Sequence, residues 1–96
     1  MAKPKKTVQK KVIESILAER FRQDQKWGPR RNLTLAHWHT ILSEEVGEVA
    51  EAVLDVGHGE IYGPTERTAA LFAALKAELV QVAAVAIATL EDLESR

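Results

Sequence analysis

Two short pairs of oxygen-bearing side chains carry the chemistry this sequence can offer. Glu45-x-x-Glu48 sits in the run Glu44-Glu45-Val46-Gly47-Glu48-Val49-Ala50-Glu51, and Glu78-x-x-Gln81 interrupts an apolar stretch. Residues three apart on a helix are surface neighbours, so each pair presents two oxygens side by side. Brought face to face, three carboxylates and one amide oxygen form a hard, oxygen-only donor set that suits Mg²⁺ or Mn²⁺ rather than zinc. Di-iron bundles use Glu-x-x-His. His37, His39 and His58 do not stand three residues from any of these glutamates, and His37 and His39 read as helix-start or surface side chains.

Position on the helix separates Glu45 from its neighbours. At about 100° per residue, Glu48, Glu51 and Asp55 fall within about 40° of Glu44 and make one acidic stripe. A solvated face explains Glu44, Glu51 and Asp55. Glu45 lies on the rim of the apolar arc shared by Trp38, Val49 and Val56, where an uncompensated carboxylate is expensive. Glu45 and Glu48 also repel unless a cation sits between them. Gly47 costs this helix about 1 kcal/mol relative to Ala, which points to close approach of another backbone or a ligand. Glu78 needs a partner as well. The ordinary one would be Arg20, Arg22 or a lysine.

The elements that must position these groups are helices. Val8, Val12, Ile13, Ile16, Leu17 and Phe21 recur at helical spacing and predict a first helix over about 7–25. Trp27-Gly28-Pro29 ends it. Asn32 or Thr34 can cap a second helix. Its apolar stripe runs from Leu35 through Val56, and Gly57 is its expected stop. Three glycines and a proline then predict a loop over 57–64. Thr65 is the expected cap of a third helix reaching about residue 94. A break near Leu71–Leu75 would split off a short fourth helix. No strand or repeat is visible. The expected fold is all-α, an antiparallel bundle of three to four helices.

The 96 residues make one domain, with 13 Lys+Arg against 14 Asp+Glu and no cysteine. Near-neutral charge argues against a general polyanion-binding surface, so nucleic acid is not an expected partner. Thiolate chemistry and disulfides are excluded. Residues 1–11 carry Lys3, Lys5, Lys6, Lys10 and Lys11 without a following apolar region, and about 1–7 read as a frayed basic tail. Leu79–Leu90 is too short to span a membrane. A soluble, cytoplasmic protein is the expectation. The third helix is apolar on more faces than a three-helix monomer covers, so a homo-oligomer, a dimer or a dimer of dimers, should complete the bundle. Helix 1 of one chain would then be able to complete the pocket of another.

The two pairs, in this order and in the settings Ile41-Leu42-Ser43-Glu44-Glu45-Val46-Gly47-Glu48-Val49-Ala50-Glu51-Ala52 and Glu78-Leu79-Val80-Gln81-Val82-Ala83-Ala84-Val85-Ala86, resemble the MazG-like all-α nucleoside triphosphate pyrophosphohydrolases, relatives of the dimeric dUTPases. Glu19-Arg20 through Gln23-Asp24 to Lys26-Trp27-Gly28 resembles a subgroup common in phage and mobile elements. The likeness covers about residues 14–93. It implies Mg²⁺-dependent cleavage of the α–β bond of a nucleoside triphosphate to monophosphate and pyrophosphate, in nucleotide-pool housecleaning. By the same likeness Glu45, Glu48 and Glu78 are metal ligands. Gln81 stands where the family usually has Asp, which removes one negative charge from the set.

A triphosphate adds about four negative charges to three carboxylates, which only divalent metal makes tolerable. Glu44 or Glu48 would orient or deprotonate the attacking water. Lys26, Arg30 and Arg31 are candidates for the phosphate tail. Trp27 and Trp38 are candidates to stack on the base, although Trp38 also fits the core stripe. Gln23 could read a base edge. The competing expectation is a binding module of the same fold, weakened by Gln81, or a helical interaction protein whose glutamates are salt-bridged.

Overall fold

The computed structural model describes residues 4–29 and 31–96, so Lys3 of the basic tail and the phosphate candidate Arg30 lie outside the described residues. Within them the chain forms three helices, α1 (Lys5–Trp27), α2 (Leu35–Tyr62) and α3 (Thr68–Glu94). Helix α3 packs against both others, while α1 and α2 do not pack against each other.

Helix α1 starts earlier than its apolar periodicity suggests. Pro4 needs no N–H at a helix start, and its carbonyl accepts from the Thr7 and Val8 amides. Residues 5–7, expected to fray, are therefore helical. Gly28, with φ 91°, ends the helix by donating to the Asp24 carbonyl.

Of the two candidate caps for α2, the chain uses Thr34. Its hydroxyl accepts from the His37 amide at 3.1 Å. Asn32 instead adopts φ 45° in the connection. Helix α2 then runs through Gly57, the expected stop, and Gly59 to Tyr62, ending at Gly63 with φ 96°. Glycine inside a helix costs only about 1 kcal/mol. Burial of Val56 and the His58–Tyr62 ring contact at 4.6 Å act on these last two turns. A Cβ at Gly59 would sit 3.9 Å from Thr68 Oγ1, an ordinary contact, so the start of α3 lies beside this turn without requiring glycine there. The loop shrinks to 63–67. Thr65 does not cap α3 directly: its hydroxyl accepts from the Arg67 amide, and its own amide donates to Thr68 Oγ1 at 2.7 Å.

Helix α3 is continuous, without the break considered near Leu71–Leu75. Its 27 residues, with mean hydropathy 1.8 over the most apolar window, are long and apolar enough to cross a membrane by length and composition. That corrects the expectation drawn from Leu79–Leu90 alone. A core helix of a bundle passes the same test. Here Ala84, Val85 and Ala88 are buried where the helices meet.

Polar locks set the relative placement of the helices. Trp38, 3% exposed, donates its indole N–H to Asp92 Oδ2 at 2.6 Å and ties the start of α2 to the end of α3. Arg20, buried in the α1–α3 seam, donates to Glu91 at 2.8 Å, Asp24 at 2.8 Å and Gln23 at 3.1 Å. Arg96 reaches the Leu33 carbonyl and Asp92.

The whole is open and elongated. The radius of gyration is 15.7 Å, against about 12.5 Å for a compact chain of this length.

The Trp38 indole and the Arg96 guanidinium hold the Asp92 carboxyl below its usual range. A lowered carboxylate contributes stability that is present above its ordinary value and lost as pH falls through the folded one. Trp38→Phe should therefore melt several degrees below the wild type at neutral pH. The gap should narrow as Asp92 protonates in acid, as followed by circular dichroism.

Candidate metal centre

The antiparallel α2–α3 pairing brings the sequence pairs together. Glu45 and Glu48 on α2 and Glu78 on α3 each place a carboxylate oxygen within 4.8 Å of the others. Adjacent oxygens around a Mg²⁺ ion at about 2.1 Å lie about 3 Å apart, so small side-chain rotations close the triad on an ion. Glu45 Oε2 and Glu78 Oε2 are both buried and without a hydrogen-bond partner. Buried polar atoms are nearly always satisfied, so two unsatisfied carboxylate oxygens in one cluster single it out as a place where a further hydrogen-bond donor or a cation would bind.

The ordinary salt-bridge explanation does not account for them. Arg20 is taken by Glu91 and Asp24, and Arg22 by Glu19 at 2.6 Å. Among the described residues, Glu44, Glu45, Glu48 and Glu78 make no ion pair. The charges act on one another instead. Burial, then the Glu48, Glu44 and Glu19 charges, push the Glu45 carboxyl up from its ordinary value near 4.5. A hydrogen bond with Glu48, then burial and the charges of Glu48, Glu45 and Glu51, push Glu78 up in the same way. Metal-free, the site is electrostatically unfavourable; a divalent cation would reverse the sign of each of these interactions.

The triad opens into a cleft of about 560 Å³ between α1 and α2. Gln23, Lys26 and Trp27 of α1 line it, with Arg31 of the connection, Glu44 and Gln81. Helix 1 of the same chain thus forms this wall. Glu44 is exposed beside the triad. Lys26 Nζ lies 4.8 Å from the Trp27 ring centroid. The Arg31 guanidinium lies 4.9 Å from the Trp38 ring and 5.8 Å from Trp27. Burial and the Arg20 charge pull Arg31 below its ordinary value. Among the described residues neither Lys26 nor Arg31 has a carboxylate partner. A neighbouring cavity of about 470 Å³ holds Arg20, Asp24, Glu91, Asp92 and Arg96, but their charges are paired to one another.

Two expected site residues sit elsewhere or face elsewhere. Trp38 is in the core, bonded to Asp92 and roofed by Arg31, so its ring is not open to a base. Its place in the core stripe is the one it takes. Gln81 lines the cleft, yet its amide is turned to α1. Its carbonyl accepts from Gln23 Nε2 at 3.3 Å, and its amide donates to Glu19 Oε2 at 2.8 Å. Gln23 is itself buried and engaged with Arg20.

The site includes two residues not expected from the sequence. Glu19 accepts from both Gln81 and Arg22, and the Arg22 hydrogen bond leads in holding its carboxyl low. Its sequence signals are its place at the head of the Glu19–Gly28 segment and the Glu19–Arg22 spacing. His37 lines the cleft wall at the start of α2.

Two variants test this geometry. A carboxyl raised in the fold destabilises it as pH rises from the ordinary value through the folded one. In the absence of divalent cation, Glu45→Gln should therefore be more stable than the wild type at pH 7, by up to about 1 kcal/mol. That advantage should vanish below about pH 4.5, the ordinary glutamate value. Gln81→Asp cannot donate to Glu19 and sets a like charge beside it. It should lower the melting temperature, and because the wild-type amide is turned to Gln23 and Glu19 rather than to the triad, Mg²⁺ affinity read by titration calorimetry should change far less than in Glu48→Gln.

Comparison with protein-family models, with curated proteins and with solved structures returned no match to this chain.

Proposed function

We propose that this chain is a Mg²⁺-dependent nucleoside triphosphate pyrophosphohydrolase of the MazG-like type, acting on the nucleotide pool of the cytoplasm as a homo-oligomer. The observation that carries the reading is the division of charge in one cleft. Among the described residues, three carboxylates without an ion-pair partner stand on one wall, and a guanidinium and an ammonium without a carboxylate partner stand near Trp27 on the other. A ligand that binds metal at one end, carries negative charge along its length and ends in a planar base matches that division.

Glu45, Glu48 and Glu78 would hold Mg²⁺, with Mn²⁺ as a substitute. When bound, the cation neutralises phosphate charge and makes water more acidic. Arg31, whose guanidinium lies 4.9 Å from the Trp38 ring centroid, presents its donors to the phosphate tail, where a planar fork can pair bidentately. Lys26 adds a point charge at the cleft mouth. Trp27, more than half exposed, offers its free face to the base. Glu44 stands outside the triad and takes the proton of the attacking water. The water oxygen attacks a phosphorus of the α–β bridge, that P–O bond breaks, and monophosphate and pyrophosphate leave.

The neutral and occupied amide of Gln81 favours one second reading, a module of the same fold that binds nucleotide without turning it over. Pyrophosphate release from a panel of nucleoside triphosphates, with and without Mg²⁺, separates the two. Turnover that requires Mg²⁺ and falls at least about 100-fold in Glu48→Gln and Glu78→Gln supports the enzyme, because each removes an anionic ligand. Saturable binding without release supports the module. Neither outcome leaves the acidic triad as a metal-binding element only.

A further inference from the structure

We infer that Arg22 and Glu19 form an exchangeable ion pair on the α1 wall of the cleft. In the empty site Arg22 masks the Glu19 charge, and an anionic ligand that draws Arg22 away releases that charge to the acidic triad. The inference rests on the reading of this cleft as a site for a divalent cation and a phosphate chain, and it couples the binding of the two.

The pair is built to part on one side only. Arg22 donates Nε to Glu19 Oε1 at 2.8 Å and Nη2 to Glu19 Oε2 at 2.6 Å. Its side chain is 56% exposed, whereas that of Glu19 is 13% exposed. Arg22 also lines the cleft. Among the described residues its Nη1 has no acceptor, so one end of the guanidinium is free for a ligand. An ion pair with one exposed member, one turn apart on a helix, contributes little to stability, so its cation leaves at small cost. Glu19 cannot follow. From α3, Gln81 donates its amide to Glu19 Oε2 at 2.8 Å and holds the carboxylate where it is.

That amide also fixes where the released charge acts. Gln81 stands three residues from Glu78, so the two are surface neighbours on α3, and Glu78 belongs to the triad. Glu19 is thus one hydrogen bond behind the triad. Its charge is already felt there, since it is among those that push the Glu45 carboxyl up. With Arg22 in place, the pair is close to neutral toward the triad. Without Arg22, a fourth negative charge stands beside three, which disfavours the empty site and favours a bound cation.

The effect is reciprocal. Phosphate oxygens compete with Glu19 for the planar fork of Arg22. Positive charge held by the triad competes with Arg22 for Glu19. Each ligand therefore raises the affinity for the other. Lys26 and Arg31 have no carboxylate partner among the described residues, so their engagement releases nothing.

Calorimetric titration with Mn²⁺ alone, at low ionic strength where screening is weak, tests the masking. One charge about 10 Å from a divalent ion changes its affinity about fourfold even at the dielectric of water. Arg22→Gln unmasks Glu19 and should bind Mn²⁺ at least about fourfold more tightly than wild type. Glu19→Gln leaves Arg22 uncompensated and should bind it at least about fourfold more weakly. Arg22 is exposed and Gln matches the shape of Glu19, so both variants keep the helices. The double variant Glu19→Gln/Arg22→Gln has the wild-type net charge but no pair to exchange. Mn²⁺ should tighten its binding of inorganic triphosphate by a factor at least about fourfold smaller than in wild type, because direct contact between cation and phosphate is common to both proteins. Unchanged Mn²⁺ affinity in both single variants, or an equal tightening factor in the double variant, overturns the exchange and leaves the metal site standing. A wild type that binds no Mn²⁺ overturns the metal reading itself, and the exchange with it.

Discussion

Helices α1 and α2 are held in place by α3 and not by each other. Because they do not close over it, a cleft remains between them, and both its acidic and its basic residues point into the same space. The small residues Ala84, Val85 and Ala88 are central to this arrangement. They bring the helix axes close enough for short polar bonds to cross between elements. Trp38–Asp92 and Arg20–Glu91 are such bonds, at 2.6 and 2.8 Å. A larger side chain at Ala84 would act on both seams at once.

The charges divide into those the fold uses internally and those it leaves over. Arg20, Arg22 and Arg96 are paired with carboxylates, and their partners Glu19, Asp24, Glu91 and Asp92 are thereby satisfied. What remains around the cleft is unbalanced on each wall and complementary across it. Evenly salt-bridged helices would lose this separation. The raised carboxyls of Glu45 and Glu78 are its electrostatic signature. Gln81 belongs to the paired group. Its amide links the carboxylate of Glu19 to Gln23, so it braces α1 against α3 with the same residues that shape the cleft wall.

Residue order alone determined what depends on local periodicity. The 3.6-residue recurrence of apolar side chains specified the helical stretches, and it narrowed the start of α2 to a cap at Asn32 or Thr34. Glu45 was legible as an anomaly because a carboxylate on an apolar arc is misplaced on any helix that buries that arc. The pairing of Glu45-x-x-Glu48 with Glu78 was legible as one arrangement that an antiparallel hairpin allows, and as what the family resemblance implies. Tertiary structure decided the rest. Gly57 reads as a stop, yet its local cost of about 1 kcal/mol is small beside burial of Val56 one residue earlier. Trp38 fits both a core and a stacking site until Asp92, distant in sequence, claims its N–H. Glu19 looks like a solvated helix residue until α3 brings Gln81 to it. Helical spacing records only which residues share a face; which bond each makes depends on what another helix brings opposite, and that is a property of the packed chain.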